Sequence, residues 1–230
     1  VRERADQRPG RPGGDVLKER ATFSIAWSRR RNIDALQRRL PNARVSADPD
    51  PETVGSWKCE RLAWQNWGGG DYHVVLEDDV ILCPFFEQAV NAALAYAGES
   101  IVSFWANRKE IEAGREQALS WMRYRGKFYG TLAVAMPVGW IDAFVNWGDQ
   151  GWLKYGATGV DWRMREFAQV FGIPIYMTVP SLVEHGAPSD SLLPHSNRTR
   201  VARWFCDFDA RLIDWTKGAP IYDRYGPRAA

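Results

Sequence analysis

Short apolar runs alternate along this chain with longer stretches in which apolar side chains return every three or four positions. "ATFSIAW" (Ala21–Trp27), the segment 43–46, the run starting at His73, "SIVSFWA", "GTLAVAMP" (130–137) and "IPIYMTVP" are rich in aliphatic, β-branched and aromatic residues and read as strands. Helical patterns lie between them. Ile33, Leu36 and Leu40 share one face before Pro41, and Ser56 caps "WKCERLAWQNW", which the glycines 68–70 terminate. Pro84 opens "PFFEQAVNAALAYA", "RKEIEAGREQALSW" reads as a partly helical excursion, and "VGWIDAFVNW" is helical by its spacing. "TGVDWRMREFAQVFG" runs from a cap at Thr158 to Gly172. "SLVEHGAPSDSLLPHS" reads as a polar, irregular loop, and "RTRVARWFCDFDARLIDW" as a last periodic segment that folds back across the domain. Alternation of this kind predicts an α/β fold with a mainly parallel sheet flanked by helices. With no clean linker, the expectation is one domain over 21–215, between a loosely ordered basic arm at 1–20 and a tail at 216–230.

One run breaks its own pattern. In "DYHVVLEDDVILCPFF" (71–86) a stretch that reads as a strand covered on both faces is interrupted by Glu77, Asp78 and Asp79. Adjacent carboxylates repel and lose hydration when buried, so a cation or hydrogen-bond donors must hold them, or they must emerge at the strand end. Ligands of open α/β sheets collect outside the carboxyl ends of the strands, at a switch in strand order. His185 also follows a strand candidate, which places an imidazole where it could meet the acids. Carboxylates with one imidazole suit a hard divalent ion, Mn²⁺ or Mg²⁺, whose shell substrate phosphates would complete. Such an ion would neutralise a diphosphate leaving group. The competing reading is a strand end ion-paired with the abundant arginines, with His185 a hydrogen-bonded loop residue.

Composition adds limits. At 230 residues and 45% hydrophobic content the chain suits one large domain. No apolar run reaches the length of a membrane span, and the first residues lack the apolar segment of a signal peptide, so the expected location is cytoplasmic. Cys59, Cys83 and Cys206 have no CxxC spacing and are expected to be reduced, buried thiols. A net charge of +2 identifies no polyanion-binding protein, although Arg29, Arg30, Arg31, Arg38 and Arg39 form one basic group and Arg123, Arg125 and Lys127 another. Twelve tryptophans keep saccharide and nucleotide ligands in play, because indole faces stack on sugars and bases.

The acidic run resembles the strand-end motif of nucleotide-sugar glycosyltransferases of the GT-A fold, in a Glu-Asp-Asp form. "VPSLVEHGAPSDSL" resembles their late His-bearing loop, and "GVDWRMREFAQVFGIPIYMTVP" their acceptor-side helix and following strand. The similarity covers roughly residues 21–215 and is nearest to small transferases of actinobacteria and their phages, more distantly to lipopolysaccharide-type transferases. It implies a single-domain, GT-A-like (Rossmann-like) α/β fold. It also implies Asp79 as the direct metal ligand, His185 as the late metal or diphosphate ligand, and Glu77 at the ribose or in the metal shell. Asp78 would orient the donor sugar, Asp48 would lie near the nucleobase and ribose, and Trp27, Ser28 and Arg29 at the nucleotide edge. Glu77 departs from the family's usual Asp, which changes the reach of the first acid.

Asp161 stands at a helix start, where Thr158 and Asp161 form a capping-box-like pair. The resemblance implies a second role, general base toward the attacking hydroxyl in an inverting reaction. Trp105, Tyr129, Trp152 and Trp162 are candidates for an acceptor platform, with core packing as the alternative. His73 and His195 are read as structural or surface residues. The resulting expectation is a metal-dependent transfer of a hexose from a nucleotide diphosphate sugar to a hydroxyl. Hydroxymethylated phage DNA bases (in a host cytoplasm), virion proteins and glycans are the acceptor classes. A phosphodiesterase or nuclease with clustered carboxylates, and a non-catalytic nucleic-acid or saccharide-binding module, are the alternatives.

Overall fold

A computed structural model describes residues 20–50, 57–126, 128–150, 159–186 and 201–221. Ser56, Lys127, Trp152, Thr158 and His195, the arm before Arg20 and the tail beyond Ile221 lie outside the described residues. In chain order the elements are β1 (Ala21–Trp27), α1 (Asp34–Arg39), β2 (Arg44–Ala47), α2 (Trp57–Gln65), β3 (Tyr72–Glu77), β4 (Val80–Leu82), α3 (Phe86–Leu94), β5 (Ile101–Ser103) and α4 (Glu110–Glu116). There follow β6 (Trp121–Arg123), β7 (Ala133–Pro137), α5 (Ile141–Asp149), α6 (Val160–Phe171), β8 (Ile175–Thr178) and β9 (Val183–His185).

Seven strands form one sheet in the order β2-β1-β3-β7-β5-β8-β6. Strands β2, β1, β3, β5 and β8 point the same way, while β7 and β6 run against their neighbours. The fold is therefore α/β with a mixed sheet, parallel in most of its strand directions. Side chains alternate between two apolar layers. Val74 and Leu76 of β3 and Ala133 and Ala135 of β7 face one cluster with α1 and α3, whereas Val75, Val134 and Met136 face the other with α2, α5 and α6. Cover on both faces is why these strands read as continuous apolar runs.

Four segments differ from the sequence reading. The run 71–86 is two strands, because the sheet strand ends at Glu77 and β4 leaves to pair antiparallel with β9 in a separate two-stranded ribbon. Its partner β9 lies inside the stretch read as irregular. At three residues, with Val183 buried and Glu184 and His185 half-buried, it is too short to display alternation. Strand β6 likewise ends the segment read as a helical excursion and pairs with β8. The last periodic stretch does fold back, yet forms only a short 3-10 turn at Ala210–Leu212 among the described residues. Its anchors are tertiary: Ser181 bridges Phe205, the Trp121 indole donates to the Trp215 carbonyl at 2.9 Å, and Ala219 is buried.

His73 is structural. The Ala63 carbonyl can only accept, so Nε2 donates to it at 3.0 Å and Nδ1 accepts from the Thr22 hydroxyl at 2.7 Å. Burial pushes its pKa down to about 4, and the ring stays neutral. All three cysteines are free and buried. No helix among the described residues is long and apolar enough to cross a membrane.

Phe144 of α5 joins the layer behind the strand ends. Fully buried, it meets Trp57 and Trp64 of α2 edge-on at 5.5 and 5.7 Å and Phe167 of α6 at 5.3 Å. This packing fixes the two helices that bring Glu60 and Asp161 to the sheet. Phe144→Ala should lower unfolding free energy by about 3–5 kcal/mol, the range for truncating a buried aromatic, as read from urea denaturation.

Candidate functional site

β1 and β3 run side by side, with Ala26 opposite Glu77, so their carboxyl ends open together. The chain leaves β1 for β2 on one side and returns through α2 to β3 on the other. This crevice is a switch point of the kind at which α/β sheets place ligands. Ser28 closes it: its amide and hydroxyl donate to Asp78 Oδ2 at 2.8 and 2.5 Å. Arg31 spans two of the acids, with Nη1 at 2.5 Å from Asp78 Oδ1 and Nη2 at 3.2 Å from Asp79 Oδ2. The turn carrying both residues is shaped by the Trp27 indole, which donates to the Arg31 carbonyl at 2.8 Å, and by Arg29, whose φ of 62° reverses the chain. Arg29 and Arg30 project into solvent. At the end of β2 the buried Asp48 donates its amide to the Trp27 carbonyl and accepts from the Asp50 amide at 2.9 Å.

The ribbon explains how two motifs a hundred residues apart meet. Val80 pairs with His185, and the Gly186 amide donates to the Asp79 carbonyl at 2.6 Å. His185 Nδ1 then lies 3.5 Å from Asp79 Oδ2, with the ring held edge-on by Trp105 at 5.4 Å. Burial raises the Asp79 pKa, but the bond from His185 and the charge of Arg31 outweigh it and hold the carboxyl below its ordinary value. Asp79 Oδ1 is buried with no hydrogen-bond partner.

A second group lies on the β7 side of Glu77. Thr131, just before β7, donates to Asp161 Oδ1 from its amide at 3.1 Å and from its hydroxyl at 2.7 Å, and the same hydroxyl is 3.3 Å from Glu77 Oε1. Asp161 thus reaches from the start of α6 to the approach of β7. Gly159, with no side chain to offer, is the residue that precedes that helix. Glu60, half-buried on α2, completes the cluster. Burial, then the charges of Asp161 and Asp78, raise its pKa to about 8. Burial and the charges of Asp79, Glu60, Asp161 and Asp78 likewise push Glu77 well above the ordinary carboxylate range. The site therefore sets Asp79, held toward its ionised form, beside Glu60 and Glu77, pushed toward their protonated forms, and divergent acids of this sort are what acid-base chemistry requires.

Among the described residues no group of three or more His, Cys, Asp or Glu side chains is arranged to hold a metal ion. The fit is a two-ligand one, Asp79 through its unpartnered oxygen and His185 beside it, with the remaining positions left to a ligand. Of the proposed platform, Trp105 is core, Tyr129 is exposed, and half-buried Trp162 stacks under the Arg165 guanidinium at 5.2 Å. Sequence reasoning missed Glu60 and Thr131. Glu60 carries a signal, since Trp57, Glu60 and Trp64 fall on one helical face and an acid there interrupts an apolar stripe. Thr131 carries none.

A carboxyl that is protonated in the folded state and ionised in the unfolded one makes folding less favourable as pH rises from its unfolded to its folded pKa. For Glu60 that window runs from the ordinary value of 4.5 to about 8. In chelator, Glu60→Gln should match the parent melting temperature near pH 4.5 and exceed it increasingly toward pH 8. Parallel curves of melting temperature against pH would remove Glu60 from the cluster.

No protein-family model and no curated protein matches this sequence. Among solved structures the chain is similar to A197 from STIV, at 14% identity over 73% of this chain and 86% of that one, with a TM-score of 0.43. It is also similar to the inositol-1-phosphate CTP transferase from T. maritima (9% identity, 69% and 84% covered, TM-score 0.34). A third likeness is to a mannose-1-phosphate geranyltransferase from Thermus thermophilus, at 12% identity with 68% of this chain and 58% of that chain covered and a TM-score of 0.27.

Proposed function

We propose that the protein is a cation-assisted glycosyltransferase that moves a hexose from a nucleoside diphosphate sugar to a hydroxyl with inversion. The observation that carries this reading is the gathering of acids around the end of β3, with Asp79 beside His185 and Asp161 sharing Thr131 with Glu77. Asp79 and His185 would hold the ion, Mn²⁺ or Mg²⁺, which when bound neutralises charge on the leaving diphosphate. Trp27, Ser28, Arg29 and Asp48 would line the nucleotide edge, and Asp78, fixed by Ser28, would orient the donor sugar. Asp161 would accept the proton of the attacking hydroxyl as its oxygen bonds to the anomeric carbon and the bond to the diphosphate breaks. Two hydrogen bonds from Thr131 aim its carboxylate. Exposed Arg29, Arg30, Arg38, Arg123 and Arg125 favour a polyanionic acceptor, of which hydroxymethylated DNA is one.

One observation favours a second reading. Glu60 and Asp161 join the three adjacent acids, and a richer carboxylate cluster is the habit of two-metal phosphodiesterases. Metal stoichiometry separates the two: one ion strengthened by nucleoside diphosphate for the transferase, two coupled ions for the phosphodiesterase.

The transferase assay uses Mn²⁺, a panel of nucleotide sugars and mass spectrometry of the retained donor. Asp79→Ala should weaken Mn²⁺-dependent donor retention and abolish transfer, with His185→Ala milder in the same direction. Asp161→Asn should retain the donor while slowing transfer by a factor of about 10²–10⁴, the usual scale of lost general-base assistance. Absence of any donor retention or hydrolysis in the parent protein would end the transferase reading.

A further inference from the structure

We infer that Arg31 is an internal counter-cation, holding Asp78 and Asp79 in place of a divalent ion until a diphosphate draws its guanidinium away. The inference rests on the transferase reading above. One guanidinium touches both acids, at 2.5 Å from Asp78 and 3.2 Å from Asp79, and the two side chains are only 4% and 8% exposed. Buried adjacent carboxylates need compensation, and Arg31 supplies it without a metal. An ion at the unpartnered, buried Oδ1 of Asp79 would be brought beside that guanidinium, so the two cations compete for one carboxylate.

The arrangement lets Arg31 leave without disordering what it leaves behind. Asp78 keeps two donors from Ser28, and Asp79 keeps His185 and the backbone bond from Gly186. The Arg31 carbonyl is tied to the Trp27 indole, so the turn keeps its shape while the long side chain swings. Guanidinium groups bind phosphate through paired hydrogen bonds, which makes a diphosphate in the crevice the natural competitor for this one. Diphosphate and metal should then bind cooperatively, and by linkage each should raise the affinity of the other by the same factor. Arg31 is on this account a positioning residue, acting through Asp79.

Mn²⁺ binding to the full chain, followed by electron paramagnetic resonance with and without inorganic pyrophosphate, tests this. The parent should bind Mn²⁺ alone weakly and bind it more tightly with pyrophosphate. Arg31→Gln should bind Mn²⁺ alone about tenfold more tightly than the parent, with a smaller pyrophosphate enhancement, a tenfold change being about 1.4 kcal/mol. Arg31→Lys, which keeps a cation, should stay near the parent. Because Arg31→Gln leaves buried acids short of a partner, the neutral double variant Arg31→Gln/Asp78→Asn is measured as well and should also exceed the parent in metal-only affinity. Adding Asp79→Asn to either should abolish the gain. If the parent binds Mn²⁺ with pyrophosphate but neither variant binds Mn²⁺ alone more tightly, the role of Arg31 is overturned and the transferase reading stands. If no form binds Mn²⁺ under either condition, both are overturned.

Discussion

Three consecutive carboxylates leave the sheet at a point where protein covers them, and partners from three parts of the chain meet them there. Asp78 is held by the turn after β1, Asp79 by that turn and by β9, and Glu77 by the approach to β7. Buried like charges of this kind are tolerated only with donors, cations or bound protons, and the site uses all three. Remove the acids and there is no physical reason for Ser28, Arg31, Thr131 and His185 to converge.

The same constraint divides the acids by protonation. Asp79 has an imidazole and a guanidinium beside it and remains ionised despite its burial. Half-buried Glu77 and Glu60 face other carboxylates, so they bind protons more tightly. Cationic partners gather at Asp78 and Asp79, while Glu60 and Glu77 face other acids, and this asymmetry suits a reaction that separates leaving-group charge from proton removal. The aromatic layer behind α2, α5 and α6 has no chemistry of its own. Phe144 and its three neighbours hold Glu60 and Asp161 at the edge of the sheet, so packing sets the electrostatics.

The strands of the sheet core were legible in the local pattern, because β1, β3, β7 and β8 are covered on both faces and such strands are largely apolar. The sequence by itself also marked Glu77, Asp78 and Asp79 as acids that must be held by a cation or donors or emerge at a strand end, and the sheet strand ends at Glu77. The helices α2 and α6 were legible from spacing, and Gly172 from the left-handed conformation it adopts as the helix ends. Tertiary structure decided the rest. The pairing of β4 with β9, which sets His185 against Asp79, joins strands of three residues each, too short for periodicity to register. The reversed direction of β7 within a largely parallel set is a matter of strand order, which local patterning does not encode. Thr131 and Glu60 became part of the site only because the sheet and α2 bring them there, and Arg31 was one arginine among three until the fold chose it to span the acids. Local pattern reports which side chains must be buried; which buried charge meets which partner depends on contacts between residues tens of positions apart, and those exist only once the chain has closed on itself.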